Sequence, residues 1–211
     1  VSSNPDPVVS DPAVEIPVPT GEVRLLAAIQ RQLLAVPGSR EAAVTLSHVG
    51  EHALGWMAVA ATGMAVDPAR RGRWAMVGLG SVGAHATSVV VKRVIRRRRP
   101  DHPAVTVGVG TPSKLSFPSS HATSTTAFAL LAGSVVGVPV APALVPVMLA
   151  SRLVLGVHYP SDVFAGAAVG AGCAALTRAV WPSAAVQSVL PETLRDGAAG
   201  PGVTQNREEK R

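Results

Sequence analysis

Residues 140–181 read VAPALVPVMLASRLVLGVHYPSDVFAGAAVGAGCAALTRAVW, two apolar runs parted by His158, Tyr159 and Pro160. Each run, 140–157 and 161–181, has close to the roughly 20 residues a helix needs to cross a hydrocarbon core. Pro160 suits a first helical turn and is poor anywhere deeper, so the second run starts a new helix at the junction. Around that junction stand Arg152, His158 and Asp162. Read alone, they have two meanings. His158 and Asp162 simply close a helix end, or they are a neutral imidazole and a carboxylate one turn later. The second pair is the minimum kit of a histidine nucleophile, because the carboxylate fixes tautomer and ring orientation. The rest of the chain has to decide.

Three more apolar runs lie upstream, at 46–66, 74–91 and 121–138. The composition agrees with them: 47% hydrophobic but only 15% charged, and rich in Ala, Val, Leu and Gly. Soluble domains carry about 25% charge. Polar residues and Pro142 and Pro146 interrupt the runs, which membrane helices tolerate where they face protein or a cavity. A helical bundle in water is the alternative, and five such runs in 211 residues count against it. Residues 22–36 put Leu25, Leu26, Ile29, Leu33 and Val36 on one face, an amphipathic helix lying on the membrane or packed on the bundle. Residues 1–20, with five prolines and no apolar h-region, read as a disordered leader. Residues 183–211 read as a disordered tail. The expected architecture is all-α: a polytopic membrane domain over 21–182 with about five transmembrane helices plus the N-terminal amphipathic helix.

The 19 basic residues exceed the 13 acidic ones and flank the apolar runs. That placement fits topology control and anionic headgroups, with no nucleic-acid partner. The single cysteine, Cys173, sits inside an apolar run, so a small buried residue is its reading.

Three polar clusters fall at the ends of the runs: KRVIRRRRP at 92–100, PSSH at 118–121 and SRLVLGVHYPSD at 151–162. Successive spans alternate direction, so all three meet on one membrane face. Lys92 and Arg99 are seven residues apart and share a face if the helix continues. Positive-inside topology explains part of that block. Ser119 or Ser120 suits an N-cap, which leaves His121 unexplained. Brought together, Lys92, Arg99 and Arg152, hydroxyl and backbone donors, and two histidines at helix starts make an oxyanion site. Phosphate is its natural occupant. One histidine attacks and the other gives a proton to the leaving oxygen. No cluster of Asp, Glu and His suggests a metal, and no cofactor is expected.

These motifs, Lys92-x6-Arg99-Pro100, Pro118-Ser119-Ser120-His121 and Ser151-Arg152-x5-His158-x3-Asp162, resemble the three signatures of the type 2 phosphatidic acid phosphatase superfamily. The resemblance covers 92–162 and implies metal-independent phosphoester hydrolysis. His158 would attack phosphorus, Asp162 would hold its ring, and His121 would protonate the leaving alkoxide and later activate water. Lys92, Arg99, Arg152, Ser119 and the Ser120 backbone would bind phosphate. The second motif usually reads Pro-Ser-Gly-His, so Ser120 is a departure that keeps the backbone donor. The superfamily's haloperoxidases are disfavoured, since a soluble enzyme needs no spans.

The fuller pattern resembles an actinobacterial branch that removes the 5-phosphate from decaprenylphosphoryl-5-phosphoribose in cell-wall arabinan precursor synthesis. Substrate and membrane lipid are then the expected partners. Undecaprenyl diphosphate, a phosphatidate-type lipid, and a non-catalytic scaffold or transporter are the competing readings. His48, Glu51 and His52 at i, i+3 and i+4, with His85 seven residues before Lys92, are candidates to contact the substrate's polar group. Interfacial polarity and helix–helix hydrogen bonding are the alternatives. The basic residues lean the site toward the cytoplasmic face of the plasma membrane. Gly166 and Gly170 form a small-residue stripe that packs inside the bundle or on a second copy.

Overall fold

The computed structural model describes Val18 and residues 21–195. Among the described residues it is helical, apart from one isolated antiparallel bridge between Arg98 and Leu115. In chain order come α1 (Gly21–Leu34), α2 (Ser39–Val49), α3 (Leu54–Val66), α4 (Arg71–Ile95), α5 (Ser120–Val136), α6 (Ala141–Val154), α7 (Pro160–Val180), α8 (Ala184–Val189) and α9 (Glu192–Arg195). Local chemistry sets the ends that matter. α4 stops where Arg96 turns left-handed (φ 56°) and its N–H bonds the Lys92 carbonyl. α5 starts at Ser119, whose Oγ accepts from the Ala122 N–H, and stops at Gly137 (φ 78°). α7 starts on Pro160, with Asp162 Oδ2 accepting the Tyr159 N–H at 2.8 Å.

α5 is the central helix, packed by α4, α6 and α7, with α3 outside α4. The contacts are close because the facing residues are small. A Cβ on Gly170 would lie 2.3 Å from the Thr123 carbonyl oxygen, and one on Gly166 would lie 2.7 Å from that of Ser119. The small-residue stripe is therefore spent inside the chain, α7 against α5. The interior holds polar residues beside its apolar core, and many large apolar side chains face outward. Ser81, Ser88, Thr123 and Ser124 are buried, whereas Met57, Leu79, Val90, Phe164 and Leu176 face outward. An apolar exterior of this kind needs hydrocarbon around it.

Two stretches, Pro68–Ile95 and Pro160–Val180, are long and apolar enough to cross a membrane, and α6 is a shorter apolar helix. The all-α membrane bundle stands, with corrections to its spans. The run at 46–66 is two helices, because α2 ends at Val49 and the chain turns over Glu51–Ala53 before α3 begins. His52 and Ala53 both take left-handed backbone angles there. The run at 140–157 is helical only to Val154, where Gly156 (φ 64°) bends the chain toward His158.

α1 packs on the bundle. Its buried Gln30 donates to the carbonyls of Thr106 (2.7 Å) and Val154 (2.8 Å) and accepts the Thr106 N–H (2.9 Å). The start of the expected tail is ordered as α8 and α9, with Trp181 and Leu190 buried in the core. The expected leader, Val18 aside, and the tail beyond 195 lie outside the described residues.

Candidate active site

The turn between α6 and α7 buries His158 and aims it into a cavity of about 610 Å³. Its Nδ1 faces Asp162 Oδ2 at 3.6 Å, an ion-pair distance too long for a hydrogen bond. Its Nε2 lies 3.2 Å from Arg99 Nη1. A guanidinium only donates, so Nε2 is the acceptor and the proton belongs on Nδ1, toward the carboxylate. Burial lowers the imidazole pKa to about 3, with Arg99 and Lys92 pushing the same way against the Asp162 carboxylate. The ring is therefore neutral at pH 7 with its lone pair on the cavity side.

The chain does not supply Arg99 as the sequence suggested. Lys92 and Arg99 share no helix face, because α4 has ended at Ile95. Arg99 instead arrives on an extended segment that pairs with 113–116, its N–H bonding the Lys114 carbonyl. Its guanidinium donates to the carbonyls of Ser113 (2.8 Å) and Val157 (2.7 Å). Burial, the larger effect, lowers the Arg99 pKa to about 10 against the pull of Asp162. Lys92 reaches the cavity from α4, its ammonium bonding the carbonyls of Ser116 and Pro118. Arg152, 1% exposed, donates to Ser47 Oγ (3.0 Å) and the Ala43 carbonyl (3.2 Å), joining α6 to α2. His121, in the first turn of α5, bonds the Ser47 carbonyl through Nε2 at 2.9 Å.

Lys92, Arg99, Ser120, His121, Arg152 and His158 all line the one cavity, and so do His48, Glu51, His52 and His85. Two expected residues stand behind its wall. Asp162 is fully buried beneath His158, and Ser119 is fully buried as the cap of α5. Ser120 Oγ lies 2.7 Å from Ser88 Oγ. His48, Glu51 and His52 do not form one helix face, since the helix breaks between the first and the other two. Among the described residues no group of three or more His, Cys, Asp or Glu side chains is placed to hold a metal.

Arg97 and Glu22 carry no local signal in the sequence. Arg97 donates to Asp162 Oδ1 (2.9 Å) and Ser161 Oγ (2.6 Å), pairs with Glu22, and stacks 4.1 Å from the Tyr159 ring centre. Glu22 in turn accepts the Ser161 N–H at 3.0 Å. Its pKa is lowered: burial opposes the shift, and the bonds to Ser161 and Arg97 outweigh it. Arg97 sits inside a run of four arginines that topology alone explains, and Glu22 is 140 positions from the carboxylate it helps to hold.

The PAP2 superfamily model matches residues 73–184. Decaprenylphosphoryl-5-phosphoribose phosphatase of Mycobacterium tuberculosis (strain H37Rv) is 52% identical over 162 residues, which are 77% of this chain and 92% of that protein. The protein of the same name from Mycolicibacterium smegmatis is 56% identical over 148 residues, 70% of this chain and 82% of that one. In fold, the chain is similar to the crystal structure of the first transmembrane PAP2 type phosphatidylglycerolphosphate phosphatase from Bacillus subtilis. The TM-score is 0.60 at 22% identity, over 74% of this chain and 84% of that one. The chain belongs to the PAP2 superfamily.

Proposed function

We propose that this protein is an integral-membrane phosphomonoesterase that removes the 5-phosphate from decaprenylphosphoryl-5-phosphoribose through a phosphohistidine on His158. The observation that carries the chemistry is the buried, neutral His158, its Nε2 turned to the cavity among three cations. Identity of 52–56% to phosphatases named for that lipid supports the substrate.

In the first step the Nε2 lone pair attacks phosphorus, the bond from phosphorus to the ribose O5 breaks, and His121, carrying a proton delivered with the phosphomonoester, gives O5 its proton. Lys92, Arg99 and Arg152 exchange carbonyl partners for phosphate oxygens, where charge-assisted bonds are stronger. The Ser120 N–H adds a donor at the α5 terminus, with Ser119 shaping that turn. Asp162 keeps the His158 proton on Nδ1 and balances the charge gained on phosphorylation. In the second step water attacks phosphorus, His121 takes the water proton, and the phosphorus–nitrogen bond breaks. Dephosphorylated lipid and inorganic phosphate are the products, and both histidines return to their starting states. The site faces the cytoplasmic side of the plasma membrane, as the basic flanks favour.

Phosphate release from purified lipids tests this reading. The enzyme is expected to prefer the ribose lipid to phosphatidate and undecaprenyl diphosphate, to survive EDTA, and to lose turnover to background in His158→Ala. Equal or better turnover of phosphatidate would overturn the substrate, and wild-type turnover in His158→Ala would overturn the nucleophile.

A further inference from the structure

A cavity of about 610 Å³ is far more than a phosphate needs. Lys92 and His85 lie on one face of α4, two turns apart, so about 10 Å of helix axis separates them. Val89 lines the wall between them. Facing His85 is the break in the first apolar run. Its adjacent residues His52 (φ 50°) and Ala53 (φ 61°) hold left-handed angles that side-chain-bearing residues adopt at a cost, and such strain collects at functional sites. The turn brings the His52 ring to 5.7 Å from that of His85 and sets Glu51 beside it, Oε1 3.9 Å from His52 Nδ1. His85 Nδ1 is buried and has no hydrogen-bond partner. The turn is also keyed to the catalytic end, since a Cβ on Gly50 would come within 2.6 Å of the His121 ring.

We propose that Glu51, His52 and His85 form a subsite for the hydroxyls of a pentose attached to the reacting phosphate, an inference that rests on the phosphatase reading above. A carboxylate accepts from adjacent hydroxyls, and each imidazole offers one donor and one acceptor. The orphaned His85 Nδ1 gains a partner when a hydroxyl arrives. The Glu51 carboxylate opposes a second phosphate at this position, so the wall selects a neutral polyol over a diphosphate. Two helical turns between His85 and Lys92 leave room for a furanose ring with its phosphate held at the far end.

The test uses the full chain reconstituted in vesicles, with kcat and KM measured on decaprenylphosphoryl-5-phosphoribose and on short-chain phosphatidate, a phosphomonoester without a sugar. Glu51→Gln and His85→Gln are each expected to lower the ratio of kcat/KM between the two substrates by about tenfold, chiefly through KM. The 2-deoxyribose analogue of the lipid, given to the wild-type enzyme, should show a loss of the same order, and this arm stands if a variant fails to fold. Equal loss on both substrates, or full wild-type turnover of the deoxy analogue and an unchanged ratio in the variants, overturns the subsite alone. A wild-type enzyme that hydrolyses phosphatidate but leaves the ribose lipid untouched overturns the substrate reading and the subsite with it.

Discussion

Removing the Arg97 guanidinium should cripple turnover although Arg97 touches no reacting atom. Asp162 is a fully buried carboxylate whose oxygens are divided, Oδ1 to Arg97 at 2.9 Å and Oδ2 to the Tyr159 N–H at 2.8 Å. His158 Nδ1 stands 3.6 Å from that second oxygen. In Arg97→Gln the carboxylate keeps one backbone donor and loses its only hydrogen-bonded cation among the described residues. Breaking a buried ion pair from one side costs roughly 3–5 kcal/mol; with Arg97 29% exposed and the backbone donor intact, about 2–3 kcal/mol is the expected loss of stability. The kinetic effect follows from geometry. A carboxylate that shifts by about 1 Å no longer sets the imidazole, and misplacement of that size costs about a hundredfold in rate. The expectation is a fall in kcat of about a hundredfold with KM within about twofold, since substrate contacts are untouched. Arg97→Lys restores the charge without the planar fork and should fall between. Glu22→Gln removes only the outer, more exposed tether and should cost less than Arg97→Gln on both counts. Phosphate release in vesicles and thermal unfolding in detergent read the two effects separately. Arg97→Gln retaining more than a third of wild-type kcat, or losing activity only in proportion to its unfolded fraction, would refute the reasoning.

Two other expectations concern the helix contact and the proposed nucleophile. Gly170→Ala puts a methyl 2.3 Å from the Thr123 carbonyl oxygen, so α5 and α7 must part, at a cost of about 1–3 kcal/mol for overpacking; an unchanged melting temperature would show that the helices do not meet there. His158 has a folded pKa, about 3, below the ordinary value of 6.5. Its contribution to stability is then complete above about pH 6.5 and lost as the pH falls toward 3, because the unfolded chain takes up the proton first. Nitrogen NMR of labelled histidine should find this ring neutral at pH 5, and titration between 6 and 7 would contradict a buried neutral nucleophile.

What the sequence made legible was whatever is local or follows from counting. Alternation of spans is enough to bring Lys92, His121, Arg152 and His158 to one membrane face, and the cavity collects them. The break at Glu51–Ala53 was hidden because it falls inside the apolar run 46–66, where helix periodicity reads straight through. Arg99 reaches the cavity by a route other than the continued helix that the spacing allowed, on an extended segment bridged to Leu115. Arg97 and Glu22 escaped for a different reason. A charge pair separated by 75 positions leaves no local pattern, and the amphipathic reading of α1, open to surface and bundle alike, gave its polar residues no docking role.

The cations of the site have a second task that shapes how their variants should be read. Lys92 ties α4 to the carbonyls before α5, Arg99 ties the segment after α4 to Ser113 and Val157, and Arg152 ties α6 to α2. In the proposed mechanism each is therefore a strut as well as a ligand, and phosphate must exchange neutral carbonyl bonds for anionic ones. The net gain on binding is the difference between the two, which charge-assisted geometry makes favourable. Alanine at any of the three removes these bonds and loosens the cavity, so lost activity alone does not measure phosphate contact. Stabilisation by vanadate does. An oxyanion at a hundred times its Kd adds about 2.7 kcal/mol to a protein that binds it only when folded. Wild type should show that gain and a Lys92 variant should lose most of it. A cation serving only as a strut would lower both melting curves and leave the gap between them unchanged.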